Sequence, residues 1–427
     1  MADGHTAGVA APRASGTPQV GGVERVSGTA QINGTAQIDG TGQINGTGQV
    51  SSTELTAMRH ALALAGRGPV HGPNPRVGAV LLGGDGTYLG EGWHLGAGTP
   101  HAEVAALADA RARGHDPLGA TMVVTLEPCD HDGRTGPCTQ ALVAAGVARV
   151  VFATTDPNPV AAGGAARLAG AGVDVVGGVL ADEGRTVLGP WWSAVSWGRP
   201  YVTVKVATTL DGRVAAADGS SRWITSPQSR ARAHALRAQV DAIAIGTTTA
   251  LTDDPALTAR TPAGGPDEAH PQTEPGSDET TTAGSDVVLA AHQPLRVVVG
   301  YRDVPDGAAL RGPGGALVQV HSHDPADVLA ALAQREVRHL LVEGGPTLAA
   351  AFLRAGLADE VHAYVAPVLL GAGPPAVGDL GIGTIADALR LEVVSTQRLG
   401  PDVFLALRPA TAPGRSGEPP TTRRTEH

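Results

Sequence analysis

Short apolar runs alternate with helical stretches in two successive blocks of this sequence, and that alternation constrains the fold more than any other feature. In the first block the pattern predicts helices over 54–66, 101–113, 139–146 and 161–170. Between them it predicts strands over 77–82, 88–93, 121–126, 149–153 and 173–176. The second block predicts strands over 201–207, 242–246, 295–300, 316–321, 339–342 and 360–365, with helices over 226–237 and 346–355. Strands interleaved with helices bury both faces of a sheet, so the first block is expected to be a three-layer α/β sandwich and the second another α/β domain.

The stretch 191–200, which holds Gly198 and Pro200, reads as the linker, giving domains over 54–197 and 199–410. Residues 1–52 are low in bulky apolar side chains and carry the repeats GTAQIN, GTAQID, GTGQIN and GTGQV, with Ile32, Ile38, Ile44 and Val50 in phase. Hexapeptide repeats can stack as a parallel β-helix. Four short copies bury one column of side chains, too little against a backbone entropy of about 1–2 kcal/mol per residue. A disordered tail is therefore expected there, with a disordered insertion over 261–285, rich in Pro, Gly, Thr, Asp and Glu, and a second tail over 411–427.

A net charge of −10 and 3% aromatic residues argue against a nucleic-acid surface, which needs clustered cations and stacking rings. No basic start followed by an apolar core marks a signal peptide, and no apolar run is long enough to span a membrane, so a cytoplasmic protein is expected. With only two cysteines, Cys129 and Cys138, a disulfide framework is excluded.

Those two cysteines stand in frame behind His101-Ala102-Glu103, within Glu127-Pro128-Cys129 and then Cys138. Zinc deaminases hold their metal with one His and two Cys, while a Glu beside the His moves protons and is not a ligand. His101 and Glu103 open one predicted helix, and Cys129 follows a strand at the mouth of another. Three protein ligands with one open position mark a catalytic zinc; a structural site would want a fourth ligand, for which His131 is the nearby candidate. The usual Pro-Cys-x-x-Cys spacing is replaced here by a longer loop, DHDGRTGP, whose His131 and Arg134 suit an anionic substrate.

The run LEPCDHDGRTGPC, with GPNPRVGAV before it and DPNP after the next strand, resembles the deaminase half of the bifunctional riboflavin-biosynthesis deaminase/reductase family. VKVATTLDGRVA, SSRWITS, LRAQVDAIAIGTTT, DDPALTAR and LVEGGPTL resemble its reductase half, so the likeness runs from about residue 54 to 408. It implies a cytidine-deaminase-like sandwich followed by a dihydrofolate-reductase-like domain, with Zn2+ and NADPH as cofactors. It further implies a phosphorylated pyrimidine substrate and a homo-oligomer. His101, Cys129 and Cys138 would bind zinc, Glu103 would shuttle protons, and Asn74, His94, His131 and Arg134 would hold base and ribose phosphate. Asp130 stands where the family often has Ser or Asn.

In the second half the resemblance places Ala207, Trp223, Thr249 and Asp253 at the cofactor, together with Gly345, Pro346, Thr347, Leu348, Ala349, Ala350 and Ala351. Glycines before a helix expose backbone N–H groups to phosphate. Ser221, Arg237, Leu257, Arg260 and Glu343 match substrate contacts, the two arginines suiting phosphate by their fork of donors. Lys205 and Asp211 lie in the signature strand-turn. No G-x-G-x-x-G follows a strand here, so a Rossmann fingerprint is absent. Two other readings remain open at this point: a deaminase acting on nucleic-acid bases, and a second domain without catalysis.

Overall fold

The computed structural model describes residues 49–131, 136–262 and 287–410. Most of the two expected tails and of the insertion therefore lie outside the described residues.

Helix α1 (Ser52–Ala65) starts before the apolar pattern implies, because Ser51 and Glu54 form a reciprocal capping box. The Glu54 N–H donates to Ser51 Oγ (3.2 Å) and the Ser51 N–H donates to the Glu54 carboxylate (2.7 Å), an arrangement worth about 1 kcal/mol. Then follow β1 (Gly78–Leu82), β2 (Tyr88–Trp93), α2 (Ala102–Ala112), β3 (Thr121–Leu126), α3 (Cys138–Ala144), β4 (Arg149–Thr154), α4 (Gly164–Gly170) and β5 (Asp174–Val176). The strands form one sheet in the order β2-β1-β3-β4-β5, with β1 antiparallel to β2 and β3, and β3, β4 and β5 parallel.

Alternation along β1 sorts the core onto two faces. Ala79 and Leu81 pack with Leu107 of α2, Leu142 of α3 and Leu168 of α4, while Val80 and Leu82 pack with Met58 and Leu62 of α1. With few aromatics to fill space, α2 sits almost on the sheet. A Cβ at Gly90 would lie 2.6 Å from the Ala110 nitrogen, and one at Gly92 2.5 Å from that of Ala106. That close approach fixes the end of α2 that carries His101 and Glu103.

Two further helices, α5 (Ala181–Leu188) and α6 (Pro190–Trp197), complete this half. The expected linker over 191–200 is therefore corrected. Most of it is helix, with Pro190 at the first turn, Gly198 (φ 66°) closing it, and Trp191 and Ala194 buried. Only residues 198–200 cross to the second sheet, pinned by a bidentate Arg199–Asp359 pair at 2.7 Å.

The second half contains β6 (Tyr201–Thr209), α7 (Pro227–Arg237), β7 (Ala242–Gly246), α8 (Thr247–Asp253), β8 (Arg260–Pro262), β9 (Val287–Leu289), β10 (Leu295–Val299) and β11 (Leu317–Val320). It continues with α9 (Pro325–Ala333), β12 (His339–Val342), α10 (Pro346–Arg354), β13 (Glu360–Ala366), β14 (Leu391–Leu399) and β15 (Asp402–Pro409). The sheet order is β11-β10-β7-β12-β6-β13-β15-β14, parallel from β11 through β13 and antiparallel at the β15-β14 edge. The central strands β7 and β12 are buried except at Gly246, as a parallel sheet covered on both faces requires. Beside this sheet, β8 and β9 pair antiparallel and bracket the insertion.

One carboxylate bonds to both halves. Asp241 Oδ1 accepts from the Gly72 N–H (2.5 Å) of the loop after α1, while Oδ2 accepts from the Arg338 and His339 N–H groups (2.9 and 2.8 Å) at the start of β12. Beside it the His71 ring stacks on His292, with centroids 3.5 Å apart.

Candidate active site

Three backbone features bring the cysteines to the histidine. His101 is the extended N-cap residue of α2, Cys138 is the first residue of α3 behind Pro137, and Cys129 follows β3 after the Pro128 turn. Helix α4 backs that turn so closely that a Cβ at Gly164 would lie 1.7 Å from the Pro128 carbonyl oxygen. His101 Nδ1 lies 3.2 Å from Cys138 Sγ and 3.5 Å from Cys129 Sγ, and all three donor atoms fall within 4.8 Å of one another. Donors about 2.0–2.3 Å from a tetrahedral zinc stand roughly 3.3–3.8 Å apart, so this set fits zinc. The electrostatics agree. Hydrogen bonds from Cys138 and then His101 hold the Cys129 thiol down at about 4 against its burial, and the bond to Cys129 pushes the Cys138 thiol far up. A half-buried imidazole crowded by two buried sulfurs is an arrangement a soft divalent cation stabilises.

Glu103, in the first turn of α2, is 4% exposed, and burial pushes its carboxyl up to about 7. A group poised there can both accept and return a proton near neutrality. The cluster opens into a cavity of about 290 Å³. Asn74, His94 and His131 all line it; Arg134 lies outside the described residues. His94 has a supporting part, since the Asn74 amide donates to its Nε2 (2.9 Å) and its Nδ1 faces the Pro100 carbonyl (3.0 Å). Nδ1 thus anchors the ring while Nε2 orients Asn74. Asp130 accepts from the Thr139 hydroxyl (2.5 Å) and so is tied to α3. Sequence reasoning missed Asp156 and Asn158, though their DPNP motif was the available signal. Both line the cavity, where burial pushes Asp156 up to about 6. It also missed Trp191, whose indole donates to the Pro73 carbonyl (2.7 Å), and Glu336 and Arg338, which reach the cavity from the second half of the chain.

A second constellation lies at the carboxyl ends of the adjacent parallel strands β7, β12 and β6, where open α/β sheets bind ligands. Glu343, just beyond β12, has a buried side chain held by Arg237 of α7 through two bonds (2.6 and 2.8 Å), with Lys205 Nζ of β6 at 3.6 Å. Burial opposes ionisation, yet Arg237 and Lys205 together hold this carboxyl at about 2. Arg237 is therefore committed to Glu343 rather than presented alone to a phosphate. Ala207 lies near the end of β6, and a Cβ at Gly345, the N-cap of α10, would meet Thr249 Oγ1 at 3.4 Å. Pro346 and the exposed Thr347 open α10, whereas Leu348, Ala349 and Ala350 are buried and Ala351 is half-buried. Trp223 is 69% exposed, with the Arg230 guanidinium 4.4 Å from its ring centroid, and Ser221 beside it is exposed. A helix N-terminus at the open strand ends fits the phosphates of a dinucleotide cofactor.

The remaining expected residues divide. Leu257 is buried with φ 49°, its side chain packed with Val240 and Ile243, so only its backbone can reach a ligand. Arg260 is exposed and donates to Thr258 Oγ1 (3.0 Å), and Asp253 is exposed at the end of α8. Asp211 fastens a loop: its carboxylate accepts from the Thr209 hydroxyl (2.6 Å) and from the Leu370 and Gly371 N–H groups, which hold it at about 2.

A three-layer sandwich with a buried His/Cys/Cys cluster and an adjacent acid, joined to a parallel-sheet domain with its own site, defines a zinc-dependent deaminase fused to a second enzyme. Residues 51–154 match the cytidine and deoxycytidylate deaminase zinc-binding region, and residues 200–405 match the RibD C-terminal domain. The chain is 46% identical over 338 residues to the riboflavin biosynthesis protein RibD of Mycobacterium tuberculosis (strain CDC 1551 / Oshkosh), covering 78% of this chain and 91% of that one. With RibD of Escherichia coli it shares 40% identity over 377 residues, covering 82% and 98%. Among solved structures it is similar to Acinetobacter baumannii RibD (form 2; TM-score 0.70, 34% identity, 84% of this chain and 99% of that chain). It is also similar to the Thermotoga maritima diaminohydroxyphosphoribosylaminopyrimidine deaminase/5-amino-6-(5-phosphoribosylamino)uracil reductase (TM-score 0.69, 30% identity, 84% and 99%). The chain belongs to the RibD family: it is a bifunctional deaminase and reductase of riboflavin biosynthesis, with zinc and NADPH as its cofactors. Among the described residues no helix is long and apolar enough to cross a membrane.

Proposed function

We propose that the first site removes an exocyclic amine from 2,5-diamino-6-ribosylamino-4(3H)-pyrimidinone 5′-phosphate and that the second reduces the ribosyl group of that product to ribityl. The observation that carries the reading is the buried Glu103 beside His101, Cys129 and Cys138 at the floor of a cavity lined by Asn74. Zinc held by those three residues supplies the Lewis acidity that makes water a nucleophile at neutral pH. Glu103 accepts one proton from that water and passes it to the ring nitrogen, then takes the second from the hydroxyl now on the ring carbon and gives it to the departing amine, which leaves as ammonia. Asn74, aimed by His94, bonds the base, and His131 and Arg134 serve as contacts for the anionic end.

In the second site NADPH supplies hydride. Lys205 and the Glu343–Arg237 pair bind and orient the ribosyl group, with Ser221, Leu257 and Arg260 as further contacts. Ala207, Trp223, Thr249, Asp253 and the segment from Gly345 hold the cofactor, its phosphates at the α10 N-terminus. The enzyme acts as a cytoplasmic homo-oligomer, on a free nucleotide and not on nucleic acid or at a membrane. The net charge of −10 supports that choice of substrate class.

The test is to give the purified protein this substrate with and without NADPH. Ammonia should appear in both cases and ribityl product only with NADPH, one per NADPH oxidised. Ammonia release that depended on NADPH would contradict two separate sites.

A further inference from the structure

The described wall of the deaminase cavity is poor in cations. It carries the carboxylates of Glu103, Glu127, Asp156 and Glu336, whereas Arg338 is its one Lys or Arg side chain among the described residues. Arg338 does not belong to the deaminase domain: it immediately precedes β12 in the reductase sheet. Among the described residues its side chain has no hydrogen-bond or ion-pair partner, and its Nε is buried without one. Burying a guanidinium nitrogen unpaired is costly unless a ligand completes it. Glu336, exposed on the same rim, does not pair with it.

Its backbone, in contrast, is fixed on both sides. The Arg338 N–H donates to Asp241 Oδ2 (2.9 Å), and its carbonyl accepts from the Tyr201 N–H (2.8 Å). Asp241 Oδ1 also accepts from Gly72, two residues before Asn74. One carboxylate thus ties the loop that presents Asn74 to the strand end that presents Arg338, and α6 closes the wall between them through Trp191 and Val195.

We infer that Arg338 is a further phosphate-binding residue of the deaminase site, added to the His131 and Arg134 of the proposed reading, so that the reductase domain completes the pocket for the first reaction. This rests on the proposed reading that the substrate is a phosphate monoester. A dianion entering a cavity floored by Glu103, Glu127 and Asp156 is repelled from that end and drawn to the rim where the free guanidinium lies. The base then faces the zinc ligands, and the planar fork of donors clamps phosphate oxygens.

Deamination by the full-length zinc-loaded protein is measured on the 5′-phosphate and on the phosphate-free riboside, for wild type, Arg338→Met and Arg338→Lys. Wild type should prefer the phosphate. Arg338→Met should raise KM for it about 10- to 100-fold, the range for a lost charge-assisted bond, with kcat within about twofold. Its kcat/KM should fall toward the riboside's level, and Arg338→Lys should recover part of the loss. Ribose 5-phosphate, used as a competitive inhibitor, should weaken by the same factor. The inference is overturned if Arg338→Met keeps its KM for the phosphate, if kcat collapses for both substrates alike, or if wild type shows no phosphate preference. Failure of wild type to deaminate either form would instead overturn the proposed substrate.

Discussion

Replacing Glu343 by Gln should weaken the reductase domain by an amount that depends on pH in a set way. The carboxylate is buried, is bonded twice by Arg237 and lies 3.6 Å from Lys205. The amide removes its charge and leaves both cations without a counter-ion, a change costing about 3–5 kcal/mol in buried pairs. Linkage gives a similar size. A carboxyl held at about 2 in the folded chain and near its ordinary 4.5 when unfolded contributes about 3 kcal/mol above pH 4.5. Because the folded value is depressed, that contribution is lost as pH falls: about 1 kcal/mol by pH 4 and about 2 kcal/mol by pH 3. At pH 7 the second-domain transition should drop by roughly 6–20 °C, at about 2–4 °C per kcal/mol. The gap between wild type and Glu343→Gln should narrow as the medium is acidified. Thermal unfolding from pH 7 to pH 3, followed by near-ultraviolet circular dichroism, measures it. A variant within 1 °C of wild type at pH 7, or a gap that stays constant with pH, would refute the assignment of a charged, paired Glu343.

Two other outcomes are expected. His94→Phe removes the acceptor that aims the Asn74 amide, so kcat/KM for deamination should fall about 3- to 10-fold with zinc content unchanged, and unaltered kinetics would refute that orienting part. Gly92→Val drives a side chain into the Ala106 nitrogen 2.5 Å away, so α2 must lift. The first domain should lose about 1–3 kcal/mol and part of its zinc, and a variant with full zinc and activity would count against that close approach.

The zinc site was readable from sequence because it uses rare residues in a fixed frame: the chain has two cysteines, and both fall behind His101 and Glu103. The parallel strands were readable because strands buried on both faces are nearly uniform in apolar residues. Helix α6 was misread since Trp, Gly and Pro together resemble a boundary, while the structure buries Trp191 in the first core. Helix α8 was hidden by its run of threonines, which favour helix weakly. The β14–β15 hairpin was missed at the sheet edge. Helix α9 was missed although Asp324, which accepts from the Ala326 N–H (2.9 Å), stands directly before Pro325, a start signal open to view. Arg237 looked like a free phosphate ligand because its partner, Glu343, lies far along the chain. Arg338 carried no local signal at all: its importance comes from a domain contact that no window of sequence contains.

The account turns on Glu103 moving protons beside a metal it does not bind. Metal analysis and ammonia release of Glu103→Gln test this together. The account predicts one zinc per chain, as in wild type, and no ammonia from the pyrimidine substrate. Ammonia released at the wild-type rate, or zinc lost with the substitution, would contradict it.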